Sequence, residues 1–89
     1  MNFESLAFSD EYFRDFADRR FSPQERARAL KAMDLLDRDE RHPSLRVHAL
    51  SGNLSGLWSA SVTDNIRIEF VRLPGGRKRC VSLTKHYKD

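Results

Sequence analysis

Residues 58–70 read WSASVTDNIRIEF, and strict alternation of apolar and polar residues runs on both sides of a polar turn at residues 63–65. The apolar positions are Trp58, Ala60, Val62, Ile66, Ile68 and Phe70. A period of two is typical of strands with one buried face. A three-residue loop with Asn65 in the left-handed conformation would pair Ser61 with Arg67. We therefore predict a hairpin with a fixed register, because a one-residue slip would expose the whole apolar set.

Three further segments extend the predicted sheet. Residues 45–50 alternate before the hairpin, and residues 80–84 alternate after the turn at Pro74-Gly75-Gly76. In the last strand, Val81 and Leu83 are expected on the core side. Residues 2–8 alternate loosely and predict an added N-terminal edge strand. Short connections between successive strands indicate a mostly antiparallel, twisted sheet with one covered face.

Two helices are predicted before this sheet. Ser9 is a suitable N-cap for the first, which carries Phe13, Phe16 and Ala17 at helical spacing and should end near Arg19.

The second helix begins at a capping box, Ser22-Pro23-Gln24-Glu25. Its apolar stripe consists of Ala29, Ala32, Met33 and Leu36. We expect it to stop near Arg41, because the residue before Pro43 disfavours the helical conformation. The expected fold is α+β, with a helical hairpin on a four-stranded sheet, in a single domain spanning residues 1–89.

Composition limits the classes of function. The chain has 89 residues and a formal net charge of +3, which favours a polyanionic or acidic partner. No apolar run approaches the roughly 18 residues of a membrane span, so no membrane partner is expected. The first residues lack the pattern of a secretory signal, which favours a cytoplasmic location. Cys80 is the one cysteine, so we expect neither a disulfide nor a metal site.

The alternation also places polar side chains together on the other face of the sheet. They are Arg46, His48, Ser59, Ser61, Arg67, Glu69, Ser82 and His86. RNA cleavage by the 2′-hydroxyl needs a base, an acid and a cation that stabilises charge on the phosphate. Histidine titrates near neutrality and arginine fits phosphate oxygens. The same residues also suit the solvated side of a half-buried sheet, so alternation alone leaves both interpretations open.

The segment HPSLRVHALSGNLSGLWSASVTDNIRIEF, residues 42–70, resembles the central part of RelE/ParE-superfamily toxins. The shared features are a proline before the first strand, a Leu-x-Gly step, a Gly-x-Trp strand and an arginine-bearing strand. The C-terminal VSLTKHYKD resembles the last strand and tail of that family. The resemblance implies the toxin of a type II toxin–antitoxin module, with a cognate antitoxin as protein partner. It also implies an endoribonuclease that cuts mRNA in the ribosomal 30S A site without a metal or cofactor.

The resemblance implies catalytic roles for three residues. Arg67 matches the strand arginine that contacts the scissile phosphate, and His48 and His86 match acid/base histidines of the YafQ-like branch. We take His48 as the base and His86 as the acid, although the sequence leaves the two roles interchangeable. The RNA-binding residues predicted beside them are Arg46, Ser59, Ser61, Lys85, Tyr87, Arg77, Lys78 and Arg79. Glu69 is a candidate ion-pair partner for Arg67.

The site departs from both cleaving branches. Ser59 and Ser61 stand where RelE has two lysines, and the YafQ-like branch has a further histidine in place of the second. Two alternatives therefore remain, a ParE-like inhibitor of DNA gyrase and a non-catalytic binding relative. The presence of both His48 and His86 argues against the gyrase inhibitor, which has no use for them.

Overall fold

The computed structural model describes residues 2–54 and 56–86 of the chain. Its helices and strands are β1 (Leu6–Phe8), α1 (Asp10–Ala17), α2 (Pro23–Arg38), β2 (His48–Ala49), β3 (Trp58–Ser61), β4 (Ile66–Arg72) and β5 (Lys78–Lys85). The five strands of the described residues form one sheet in the order β1-β5-β4-β3-β2. All neighbours are antiparallel except β1, which runs parallel to β5. The predicted α+β class and its added edge strand are confirmed.

The β3–β4 hairpin has the predicted register, with Ser61 opposite Arg67. Its turn closes differently from the prediction, because Asn65 does not take a left-handed conformation. The hydroxyl of Thr63 donates to Asn65 Oδ1 at 2.9 Å and accepts from the N–H of Ile66 at 3.1 Å. The Thr63 side chain therefore closes the turn, which was predicted to close through a left-handed Asn65.

The apolar stripe of α2 packs on one face of this sheet, as predicted. Its four members are all at most 6% exposed. They share a single core cluster with the strand residues Ala60, Ile66, Ile68, Phe70 and Leu83. Burial of an aliphatic or phenyl side chain contributes roughly 1.5–3 kcal/mol, so this helix–sheet contact is a main source of stability.

Helix α2 begins at the predicted capping box. Ser22 Oγ accepts from the Glu25 N–H at 3.1 Å, and a Glu25 carboxylate oxygen accepts from the Ser22 N–H at 2.8 Å. The helix ends at Arg38, earlier than predicted, because residues 39–42 form a turn closed by the His42 N–H on the carbonyl of Asp39 at 3.0 Å. Among the described residues, no helix has the length and apolar character to cross a bilayer.

Helix α1 buries a different side from the one predicted and ends at Ala17. Tyr12 is 1% exposed and its ring stacks with that of Phe16 at 6.5 Å, whereas Phe13 is 57% exposed. The Ser9 N–H donates to a carbonyl of β5 at 3.0 Å, and the Ser9 hydroxyl caps the helix. This tertiary contact sets the rotation of α1, which the spacing of its apolar residues alone does not reveal.

Strand β5 contains a bulge that the sequence alternation hides. Glu69 pairs with Ser82, but the next residue of β4 pairs with Cys80, so Val81 is an extra residue without a partner. Cys80 consequently faces the core and is fully buried, contrary to the prediction that Val81 would lie there. Burial raises the pKa of the Cys80 thiol to about 12, which leaves it unreactive at neutral pH.

Asp37 of α2 holds the chain that leads into the edge strand β1. Its carboxylate accepts from the N–H of Ser5 at 2.6 Å, from the Ser5 hydroxyl at 2.7 Å and from the N–H of Glu4 at 3.1 Å. Partial burial by itself raises the pKa of Asp37, but these hydrogen bonds and the charge of Lys78 outweigh it and lower the pKa.

An Asp37→Asn variant should reveal the contribution of Asp37 to the free energy of unfolding, because that contribution depends on pH. Because the pKa is lower in the folded chain than in the unfolded one, the stabilisation is complete above about pH 4 and is lost as the pH falls through the folded value. We expect wild type to be more stable than the variant near pH 7 and the gap to narrow below about pH 4. Urea denaturation measures both proteins.

Asp34→Asn is the matched control for this measurement. Asp34 makes only an exposed ion pair with Arg38, and such pairs contribute little to stability. A free-energy gap between wild type and Asp37→Asn that stays constant down to about pH 3 would contradict the role assigned to Asp37.

Candidate functional site

Polar side chains form a ladder on the sheet face opposite the α2 layer. The first rung runs across four strands and consists of His48, Ser59, Glu69 and Ser82. The second rung consists of Ser61, Arg67 and Thr84. Residues directly opposite each other in a sheet share a face, so the register places these side chains together, as the alternation predicts. Thr84 was not predicted, although its alternation with Ser82 and His86 marks it.

Arg67 and His86 are brought together on this face. His86 follows β5, and its N–H donates to the carbonyl of Asn65 at 2.7 Å, which extends the β4–β5 ladder by one more pair. Thr84 lies directly opposite Arg67. His86 is therefore a diagonal neighbour of Arg67, at a Cα distance of about 7–8 Å.

His48 lies at the opposite corner of the ladder. Three strand spacings separate it from His86, about 14 Å across the sheet, and two rungs add about 13 Å along the strands. The structure therefore does not bring the two histidines into contact. Arg67, on the strand and rung between them, has one histidine on each side.

A backbone carbonyl fixes the orientation of the exposed His48 ring. His48 Nδ1 lies 2.8 Å from the carbonyl oxygen of Arg46. A carbonyl only accepts hydrogen bonds, so Nδ1 carries the proton and the Nε2 of a neutral ring has a free lone pair. Arg46 adopts a left-handed backbone conformation, with φ 46° and ψ 45°, which is uncommon outside glycine. This local backbone makes His48 Nε2 a proton acceptor.

Arg67 has no ion pair within the described part of the chain, and the expected pair with Glu69 does not form. Glu69 instead accepts a hydrogen bond from the Ser82 hydroxyl at 2.6 Å. The hydroxyls of Thr84 and Ser59 are buried and have no partner among the described residues. Buried hydroxyls are ordinarily hydrogen-bonded, so these two, one on each neighbouring strand of Arg67, are unusual in lacking a partner among the described residues.

A cleft of about 420 Å³ separates this ladder from α1. Asp15 of α1 lines it and is already engaged, because it accepts from the N–H of Leu83 at 3.0 Å and from Arg20 at 3.3 Å. The bond from Leu83 satisfies the edge of β5 where β1 no longer pairs with it. Asp15 therefore shapes the wall of the cleft, a role for which the sequence carries no signal beyond its place in α1.

Three of the predicted RNA-binding residues do not fit that role. Lys78 is 4% exposed and lies 3.7 Å from Glu40. The Lys85 ammonium donates to the carbonyl of Arg20 and to Glu25, both at 3.0 Å. These lysines occupy strand positions on the core side, where they stabilise the fold. Ser59 lies on the predicted face but is only 1% exposed, which removes it from direct contact with RNA.

The other predicted RNA-binding residues keep access to solvent. Arg46, Arg77 and Arg79 are exposed, and Ser61 is half-buried. Tyr87 lies outside the described residues.

The tautomer assigned to His48 can be measured directly. We expect long-range ¹H–¹⁵N spectra at about pH 8, where an imidazole is normally neutral, to show the proton on Nδ1. Arg46→Gly should keep this tautomer, because glycine retains the carbonyl and accepts the left-handed conformation. Arg46→Val should lose it, because a β-branched residue disfavours that backbone. A wild-type ring protonated on Nε2 would contradict the assignment.

Known structures share this architecture, whereas no family model and no curated sequence matches the chain. A YoeB/ParE toxin from Agrobacterium tumefaciens superposes with a TM-score of 0.74 at 17% identity, covering 94% of this chain and 100% of that one. YafQ from E. coli gives 0.73 at 18%, covering 91% of each. The RelBE2 toxin–antitoxin complex from Mycobacterium tuberculosis gives 0.72 at 16%, covering 96% of this chain and 100% of that one. The chain therefore shares the fold of these solved toxin structures.

Proposed function

We propose that this protein is the toxin of a type II toxin–antitoxin module and that it cleaves mRNA on the ribosome. The fold supports the first part of the proposal, because solved structures that share it include the toxin–antitoxin complexes YoeB–YefM from Staphylococcus aureus and DinJ–YafQ from E. coli. A cognate antitoxin is accordingly the protein partner that we propose.

One observation carries the cleavage proposal: Arg67 lies between His48 and His86 on one sheet face. Attack of a 2′-hydroxyl on phosphorus proceeds in line, so the incoming and leaving oxygens occupy opposite sides of the phosphate. A base and an acid on opposite sides of a cation match that requirement. The absence of an ion pair to Arg67 within the described residues leaves its guanidinium able to bind a phosphate.

The reaction follows from these positions. His48 Nε2 removes the proton of the 2′-hydroxyl, and the resulting oxygen attacks the adjacent phosphorus. Arg67 stabilises the negative charge that develops on the phosphate oxygens. His86 donates a proton to the leaving 5′-oxygen. The products are a 2′,3′-cyclic phosphate on the upstream fragment and a free 5′-hydroxyl on the downstream fragment, with no metal or cofactor required.

The wide spacing of the histidines makes a specific demand on the substrate. At regular sheet spacing both rings can reach one phosphate only when that phosphate lies between them. The ribosome-bound mRNA has to present its backbone directly over Arg67, which supports a substrate held in a defined conformation rather than free RNA.

Single substitutions on this face test the mechanism. Removing a general acid or base typically lowers the rate by about 10²–10⁴-fold, so we expect at least a 10²-fold loss for His48→Gln and for His86→Gln. Arg67→Gln should lose a similar factor, because it removes the charge beside the phosphate. The measurement is cleavage of mRNA on purified ribosomes, with the fragment ends identified.

Arg14→Gln provides the matched control, because Arg14 is exposed on α1 and is not one of the ladder residues. Arg14 does not line the cleft beside the ladder, so Arg14→Gln should cleave at the wild-type rate, and thermal unfolding checks that all variants are folded. Full activity in His48→Gln would remove that residue from the mechanism. Growth arrest without RNA fragments, accompanied by accumulation of cleaved DNA with gyrase, would overturn the cleavage proposal while leaving the toxin proposal intact.

A further inference from the structure

A second basic groove lies at the edge of the sheet formed by β2, and its strand residues Trp58 and Arg72 belong to the face opposite the ladder. It has a volume of about 630 Å³, and its lining includes Glu40, Arg41, Arg46, Val47, Trp58 and Arg72. Val47 directly precedes His48, so β2 separates the groove from the ladder.

A rigid planar surface forms one wall of the groove. The guanidinium of Arg72 lies 4.1 Å from the centre of the Trp58 ring. Glu40 binds the same guanidinium through two hydrogen bonds, of 3.2 and 2.7 Å. The bond from Arg72 holds the pKa of Glu40 below its usual value, so the pair remains charged at neutral pH. The side chain of Arg72 is still 39% exposed, which leaves part of this surface open.

The groove also carries unneutralised positive charge. Glu40 is its one acidic lining residue among the described residues, and it is engaged by Arg72 and by Lys78 at 3.7 Å. Arg41 and Arg46 are exposed and form no ion pair with any described residue. Two cations therefore stand beside a flat stacking surface.

We infer that this groove is a second RNA-binding site, which holds single-stranded RNA outside the ladder. Arg41 and Arg46 bind its phosphates, and its base stacks on the Arg72–Trp58 surface. Sites for single-stranded RNA combine cations with aromatic or guanidinium planes in this way. An acidic peptide fits less well, because its carboxylates can pair with Arg41 and Arg46 but cannot stack on the Arg72–Trp58 surface. The inference rests on the proposed function only in taking RNA as the ligand.

Binding of an uncleavable RNA tests the inference independently of catalysis. The probe is a single-stranded 2′-O-methyl RNA of about 12 nucleotides, long enough to cover one such site. We expect Arg41→Gln combined with Arg46→Gly to weaken binding and to reduce the salt dependence of log K by about 0.7 for each lost phosphate contact. Arg14→Gln combined with Arg19→Gln, on the surface of α1 and the following turn, should match wild type. Fluorescence anisotropy at several salt concentrations measures all three proteins.

Trp58 provides a second measurement, because it is the only tryptophan of the chain. Stacking of a base on the Arg72–Trp58 surface should change its intrinsic fluorescence on addition of the RNA, whereas a poly-glutamate peptide of similar length should not. Equal binding by the groove variant and the α1 variant would overturn the inference, as would stronger binding of the peptide than of the RNA.

The two proposals fail in different ways. If wild type cleaves mRNA but the groove variant keeps full RNA affinity, only the groove is wrong. If wild type binds RNA through the groove but yields no fragments on ribosomes, only the cleavage proposal is wrong.

Discussion

The pairing of β3 with β4 is the constraint on which the rest of the molecule depends. Its register is fixed by burial, because Ala60, Ile68 and Phe70 must all meet the α2 layer. Because successive side chains of a strand point to opposite faces, the intervening residues then lie on the other face. Ser61 and Arg67 are directly opposite each other there. Packing of the core therefore positions the candidate site, although no site residue belongs to the core cluster.

The fold was predictable wherever a local pattern determines it. The capping box of α2, its buried stripe and the alternation of β3 and β4 all describe contacts between near neighbours in sequence or within one hairpin. The errors arose where a distant partner decides. The tie from Ser9 to β5 rotates α1 away from its apparent apolar side, and this contact has no signature in the residues that surround it. The turn at residues 63–65 is the local exception, because the Thr63 hydroxyl closes it in place of a left-handed Asn65.

The candidate site was likewise predictable from local pattern in some respects and not in others. Alternation predicted which face His48 and Arg67 occupy, but not that Glu69 would bond to Ser82 and leave Arg67 unpaired. The basic residues were predicted by charge alone, and charge did not distinguish Lys78, held by Glu40 on the core side, from the exposed Arg79. The stacking of Arg72 on Trp58 likewise joins two strands, and the alternation pattern favoured a core position for Trp58 over a base-stacking role.

The unpaired Val81 determines which face of the sheet each later residue of β5 occupies. Before it, Arg79 lies on the ladder side. After it the even-numbered positions lie there, so Thr84 and His86 face the same way as Arg67. The same residues paired without the bulge would turn Lys85 towards the ladder and His86 towards the helices. The bulge thus brings a histidine rather than a lysine to this face at the end of β5, so the backbone irregularity determines the chemistry of the face as strongly as the identity of the residues on it.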